Sequence, residues 1–172
     1  MKKWIFLLLL FPLTCVAQTY QYLGVEDGLS NRRVYCIQKD RTGYMWFLTH
    51  EGIDRYNGKS FKRYKLMDGD TEVNSLLNLN WLYINQDGVL WEIGKKGKIF
   101  RYDQVHDRFE LVYKLPIENF RDLPAPVSFA WLDKNNHIWL CNEETIFLYN
   151  TETDQVCPIK NEIKEEITDI EQ

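Results

Sequence analysis

The sequence has little of what metal and redox chemistry need. It holds 4 cysteines and 3 histidines in 172 residues, with no Cys-x-x-Cys, no His-x-His and no histidine pair at i,i+4. His50, His106 and His137 stand far apart, so neither a zinc site nor a dithiol centre is expected. Neither sign of charge prevails, since 21 Lys+Arg face 25 Asp+Glu, and this balance argues against the basic footprint of a nucleic-acid binder. With 5 Pro, 9 Gly and 45% apolar residues, a disordered or collagen-like chain is excluded. Beyond residue 13 no apolar run approaches the roughly 20 residues that cross a bilayer. The sequence shows no nucleophile elbow, no phosphate loop and no carboxylate pair at glycosidase spacing, so no catalytic residue, metal or cofactor is assigned.

What is plentiful is rings: 6 Trp, 10 Tyr and 9 Phe. The first of them sits in a leader. Lys2 and Lys3 precede an apolar run from Trp4 to Leu13, and Cys15-Val16-Ala17 places small residues where a signal peptidase reads. Residues 1–17 are read as a secretory signal peptide, which sends the chain to the periplasm. An uncleaved anchor is the alternative, opposed by a run about half a membrane span long. Lipidation at Cys15 is another, opposed by the residues before it. Cleavage would remove Lys2 and Lys3 and no acid, taking the net charge from −4 to −6. Cys36, Cys141 and Cys157 would then remain in a compartment that permits disulfides.

A repeat organises everything after residue 30. Trp46, Trp91 and Trp139 lie 45 and 48 residues apart. Each has Asp or Asn six residues before it (Asp40, Asn85, Asp133) and Gly or Asn three before it (Gly43, Gly88, Asn136). That pattern suits a tight turn whose polar residue bonds its own backbone and whose later residue tolerates positive φ. Strand-like stretches precede each turn, at 34–37, 79–84 and 127–132. Each Trp is followed by a second turn and a strand ending in Tyr56, Tyr102 or Tyr149. A fourth short strand comes last, at 60–64, 108–112 and 155–159. Four strands per unit at this period are the signature of a β-propeller blade, so the fold class is all-β: a partial propeller of about three four-stranded antiparallel blades and the start of a fourth. The recurring Trp and Tyr residues are read as the wedge between sheets, hence structural core.

The ordered elements Glu26-Asp27-Gly28-Leu29-Ser30-Asn31, Asp40-x-x-Gly43-x-Met45-Trp46, Thr49-x-x-Gly52-Ile53, Arg55-Tyr56-Asn57-Gly58 and Phe61-x-x-Tyr64 resemble the two-component regulator propeller repeat. Over residues 20–172 the chain resembles the extracytoplasmic sensor region of hybrid two-component systems of Bacteroidetes-type bacteria. Blade two departs at Asn85 and carries an extra residue, Lys98. Blade three departs more, with Asn136 and Thr145 where glycines are expected, which puts its hairpin geometry in doubt. The resemblance implies a parent with further blades, a membrane helix, a histidine kinase and a DNA-binding regulator. It also implies an oligosaccharide ligand, control of polysaccharide-utilisation genes and a dimer of the full-length parent. No kinase phosphoacceptor box occurs here: His50-Glu51 continues as Gly52-Ile53. A stand-alone secreted propeller, acting as a binding scaffold or a lyase, is the alternative.

The expected organisation is a signal peptide at 1–17 and an entry segment at 18–30 that begins with an outermost-type strand, Tyr20 to Leu23. Blades follow at 31–66, 67–114 and 115–160. Residues 161–172 open a fourth blade or form a short helical tail. The expected ligand face joins the loop entering each inner strand to the loop between the second and third strands. Its candidate residues are Asn31, Arg32, Arg33, His50, Glu51, Lys95, Lys96, Asn142 and Glu143. Open blade edges lead to the expectation of poor solubility or self-association.

Overall fold

A computed structural model describes residues 20–73, 79–94, 96–114, 127–142 and 145–160. The signal peptide, the 161–172 tail, Lys95 and Glu143 lie outside these residues. Three sheets form from consecutive strands. The first has the order β1 (Val34–Lys39), β2 (Met45–Thr49), β3 (Gly52–Tyr56), β4 (Phe61–Tyr64). The third has β11 (Phe129–Leu132), β12 (His137–Cys141), β13 (Thr145–Asn150) and β14 (Gln155–Lys160), again in chain order and antiparallel. Both are the up-and-down blades that the repeat implies.

The second sheet is larger. Its blade is β7 (Leu79–Ile84), β8 (Leu90–Gly94), β9 (Lys98–Asp103) and β10 (Arg108–Lys114), and a hairpin of β5 (Leu66–Asp68) and β6 (Thr71–Val73) is added outside β10, giving six strands. β5 runs parallel to β10, with Leu66 opposite Phe109 and Met67 opposite Glu110. Blade one ends at Tyr64, and Lys65 alone separates it from β5. The chain therefore steps from the outer edge of one blade straight to the outer edge of the next, covering an edge that would otherwise offer unpaired backbone groups. Leu66 anchors this step, 1% exposed in the core between the two blades. The repeat pattern does not reveal this extension, because among the described residues it occurs at one junction.

Residues 20–23, expected as an outermost strand, pair with no sheet among the described residues. A strand is defined by its ladder, and none joins this segment to β2 or β3, on which Leu23 packs through its side chain beside Phe47 and Tyr56; Tyr20 and Tyr22 are strongly exposed. A short 3-10 turn at Val25–Asp27 follows, closed by Gly28 at φ 105.

Each blade's first turn is built by its acid. In blade one, Asp40 Oδ1 accepts the backbone N–H of Thr42 (2.9 Å) and Tyr44 (3.0 Å), while Oδ2 accepts the indole N–H of Trp46 at 2.7 Å. Blade three repeats this: Asp133 Oδ1 takes Asn135 and His137 N–H, and Oδ2 takes Trp139 Nε1 at 2.9 Å. The spacing of six thus lets one carboxylate close the turn and fix the wedge. Blade two has the amide Asn85. Its Oδ1 still takes Asp87 and Val89 N–H, but its Nδ2 is a donor, and the buried Trp91 Nε1 has no hydrogen-bond partner among the described residues. At the third turn position Gly43, Gly88 and Asn136 have φ of 94, 86 and 61. Asn136 therefore takes the left-handed conformation that the departing sequence put in doubt; asparagine enters that region more readily than most residues.

The first two wedges point into the following blade. Trp46, Leu48 and Ile53 pack with Leu82, Leu90, Phe100 and Phe109; Trp91, Ile93 and Ile99 pack with Ala130, Ile138, Leu140 and Tyr149. Trp46 meets Tyr102 with ring centroids 4.9 Å apart in an edge arrangement, a geometry that suits aromatic quadrupoles. Trp46 and Trp91 are fully buried, whereas Trp139 is half-buried, because no further described sheet packs on its face. Cys36, Cys141 and Cys157 are free thiols, half-buried, buried and exposed respectively.

Candidate functional site

The loop entering β1 and the β2–β3 loop meet at one end of blade one. Their junction rests on a buried polar layer. Asp54, fully buried on β3, accepts at Oδ2 from Ser30 N (2.8 Å) and Ser30 Oγ (2.6 Å), and Ser30 Oγ also meets Thr49 Oγ1 at 2.8 Å. Thr49 Oγ1 in turn donates to Gly52 O at 3.0 Å. A buried carboxylate must have partners to be tolerated, so Asp54 explains why Ser30 follows Gly28-Leu29 here. Leu29 pins the same segment from the apolar side, packed with Phe47 and Tyr56.

Above this layer stand the candidate residues. Asn31 Oδ1 accepts Arg33 N at 2.8 Å and Asn31 Nδ2 donates to Glu51 Oε1 at 3.1 Å. His50 N donates to Arg33 O at 3.0 Å, and Tyr35 Oη meets His50 Nδ1 at 2.9 Å. The two loops are thereby tied into one surface. They border an open cleft of about 570 Å³ lined by Asn31, Arg32, Arg33 and His50, a volume in the range of small-molecule sites. Glu51 faces Arg63, with Nη1 3.7 Å from Oε2 and Nη2 donating to its backbone oxygen. Lys96 and Asn142 occupy the equivalent loops of blades two and three and are not among the cleft's described lining residues; Asn142 is buried.

Two constellations escaped the sequence reading. The first joins blades one and two. Asp107, at φ 51 in the β9–β10 turn, accepts Tyr102 Oη (2.5 Å) and Tyr64 Oη (2.7 Å) at Oδ1 and is paired with Lys62 and with Arg55 at 3.6 Å. Burial alone would raise its pKa, but the Lys62, Tyr102 and Tyr64 contacts outweigh burial and hold the carboxyl far below the usual range. Burial first, and then these bonds, push the Tyr64 and Tyr102 phenols up. Asp154, at φ 55, does the same for Tyr149 at 2.5 Å. The signal was a Tyr followed five residues later by Asp, present in blades two and three.

The second lies in the β9–β10 turn, where Asp103, His106 and Glu110 bring one ligand atom each within 4.8 Å of one another. The missing second histidine is replaced here by acids, which a search for histidine spacing overlooks. Arg108 sits on Glu110 Oε1 through Nε at 2.7 Å and Nη2 at 2.6 Å. A cation would have to displace this guanidinium, so the cluster reads as an internally neutralised turn.

Stacked antiparallel four-stranded sheets, each wedged on the next by a tryptophan, define a run of β-propeller blades whose ring is not closed. Residues 28–51 match the profile of the two component regulator propeller, a stretch that spans the Asp54-supported entry loop, β1, the Asp40 turn and β2. Two solved structures share the fold. The extracellular domain of a protein described as the hybrid two component system BT3049 from B. thetaiotaomicron aligns at TM-score 0.61 and 24% identity, over 81% of this chain and 20% of that one. The corresponding domain of BT4673 from the same organism aligns at TM-score 0.58 and 21% identity, over 75% and 18%. The chain thus spans about a fifth of the length of either. No curated protein matches it. Among the described residues no helix is long and apolar enough to cross a membrane.

Proposed function

We propose that this chain is a ligand-sensing propeller segment of an extracytoplasmic, hybrid two-component type of sensor, that it detects an oligosaccharide, and that it does so without catalysis. The observation that carries this reading is the coincidence of the regulator-propeller repeat with the cleft. Residues 28–51 contain Asn31, Arg32, Arg33 and His50, the four that line it. The two solved domains of the same fold, both extracellular parts of hybrid systems, support the sensor role and the periplasmic location.

The geometry suits recognition better than chemistry. The loops offer fork-shaped donors and an imidazole beside a half-exposed tyrosine, groups that hydrogen-bond and stack on sugars. Cleft residues that hydrogen-bond one another across two loops are poised to report a ligand as a shift in the loops' packing, which a dimeric parent could pass across a membrane. Control of polysaccharide-utilisation genes follows from that parent.

The test is genetic and biochemical together. A deletion strain of the source bacterium, grown on a panel of purified polysaccharides, should lose transcript induction for one of them, and oligosaccharides from that polymer should bind the chain. Unchanged induction on every polymer, with no oligosaccharide binding, would overturn the reading. Turnover of a glycan by the purified chain would instead favour the lyase alternative.

A further inference from the structure

We infer that the blade-one cleft is an anion subsite, and that its ligand is an acidic oligosaccharide recognised through a uronate carboxylate or a sugar sulfate. The inference deepens the proposed glycan reading and rests on it. Its first support is an inventory of arginines. Arg41 reaches backbone oxygens of Gln86 and Asp87 in the next blade; Arg55 bonds Tyr102 and Asp107; Arg63 holds Glu51; Arg101 lies over the Trp91 ring; Arg108 holds Glu110. Arg32 and Arg33 are the two whose guanidinium groups meet neither an acceptor nor an aromatic ring among the described residues. They are adjacent, exposed and both on the cleft.

The second support is that the cleft is arranged to keep them so. Glu51, in the facing loop, pairs with Arg63 of β4 and takes the Asn31 amide. Asp54 lies fully buried beneath, with Oδ2 on Ser30 and Oδ1 without a hydrogen-bond partner among the described residues. Neither forms an ion pair with Arg32 or Arg33, which stand together as a positive spot on a chain of net charge −4. The backbone between the arginines and His50 is fixed by the Asn31 and Arg33 hydrogen bonds, so the cost of ordering the loop is met before a ligand arrives. A guanidinium matches carboxylate or sulfate with two parallel N–H donors, which a lysine cannot do. His50 lines the cleft and Tyr35 adjoins it, ring centroids 6.3 Å apart, so the imidazole in the cleft is backed by an exposed phenol ring.

The experiment is calorimetric titration of the full chain with three tetrasaccharides: oligogalacturonate (carboxylate), a sulfated galactan fragment (sulfate) and neutral galactotetraose. One acidic probe should bind at least about tenfold tighter than the neutral one and weaken severalfold as salt rises from about 50 to 250 mM, as screening requires. Which acidic arm wins separates carboxylate from sulfate. Arg32→Gln with Arg33→Gln should reduce that affinity tenfold or more; Arg32→Lys with Arg33→Lys, which keeps the charge, should restore part of it and guards against a folding defect. Lys59→Gln, which removes one positive charge from the β3–β4 turn at the other end of the blade, should leave affinity unchanged. Binding of the neutral probe at equal affinity, unaffected by the arginine changes, would sink the anion subsite while leaving the glycan sensor standing. Failure of all saccharides would remove both, and equal binding of polyglutamate would reduce the effect to nonspecific charge.

Discussion

Replacing Asp40 by Asn tests the reason for the six-residue spacing between acid and tryptophan. The amide keeps an oxygen for the turn, so Thr42 and Tyr44 N–H stay satisfied, but puts an N–H₂ where the carboxylate oxygen took the Trp46 indole at 2.7 Å. Trp46 is 1% exposed, so water cannot substitute freely. A hydrogen bond to a charged group is worth about 1.5–3 kcal/mol and an orphaned buried donor costs about 1–3 kcal/mol. These describe the same loss and are not summed. Blade two folds with such an orphan at Trp91, which places the expected cost nearer about 2 kcal/mol than the top of the range.

Acid dependence carries a second signature. Burial would raise the Asp40 pKa, but the Thr42 and Trp46 side-chain bonds and the backbone bonds from Tyr44 and Thr42 bring it below the ordinary value. A lowered folded pKa means that its stabilisation is fully present above the unfolded pKa of about 4 and is lost as pH falls through the folded one. Urea denaturation should show Asp40→Asn destabilised at pH 7 and the gap to wild type closing below about pH 4. In a Trp46→Phe background, which has no indole N–H, the same substitution should cost under about 0.5 kcal/mol, giving a coupling of about 1–2 kcal/mol. An equal cost in both backgrounds would refute the indole-anchor argument.

Other expectations follow from the same geometry. Asn85→Asp should stabilise blade two by about 1 kcal/mol, the new acceptor for Trp91 being partly offset by repulsion from Asp87, whose carboxylate now takes the Asn85 amide at 3.3 Å; adding Asp87→Asn should enlarge the gain, read as a higher urea midpoint. Asn136→Gly, though suited to φ 61, should lose about 1 kcal/mol, because Asn136 Nδ2 donates to Asp87 Oδ2 at 3.0 Å and its Oδ1 accepts Gln86 N across the blade junction. Leu66→Ala should cost about 2–4 kcal/mol and loosen the β5–β10 pairing, seen as faster amide exchange at Phe109 and Glu110. In alkaline titration Tyr64, Tyr83, Tyr102 and Tyr149 should ionise after the exposed tyrosines, Tyr83 being pushed up to about 12 chiefly by burial. Neutral phenols in the fold stabilise it below pH 10, and that share is lost as pH climbs towards the raised values.

The parts legible in the sequence are those that every blade must satisfy alone. Asp40 and Asp133 had to precede their tryptophans by a fixed count because one side chain closes a turn and reaches a ring, and Asn85 keeps that count for the turn alone, so period and fold class could be read directly. The parts that stayed hidden belong to single junctions. Leu66 looked like the end of blade one, since nothing in three residues says that β5 will leave its own sheet for its neighbour's. Asp107 belongs to no local pattern, since its partners Tyr64, Arg55 and Lys62 lie more than 40 positions away. Ser30 is visible as part of a motif, but its partner Asp54 is not, because alternation does not distinguish a buried acid from an exposed one.

This division bears on where function can reside. A residue repeated in every blade is committed to the wedge or the turn, and changing it costs stability before it alters recognition. Trp46 and Tyr102 are examples, each held by both ring packing and a hydrogen bond. Freedom to meet a ligand falls to side chains that the repeat does not spend, and on blade one these are Arg32, Arg33 and His50, held in place through backbone atoms and ring nitrogen while their charged or polar ends face the cleft. The blade acts as a rigid mount and the loop pair as a replaceable head. Substitutions at Arg32 and Arg33 should therefore change affinity with little change in the urea midpoint, whereas Asp54→Asn, which disturbs the layer beneath, should change both.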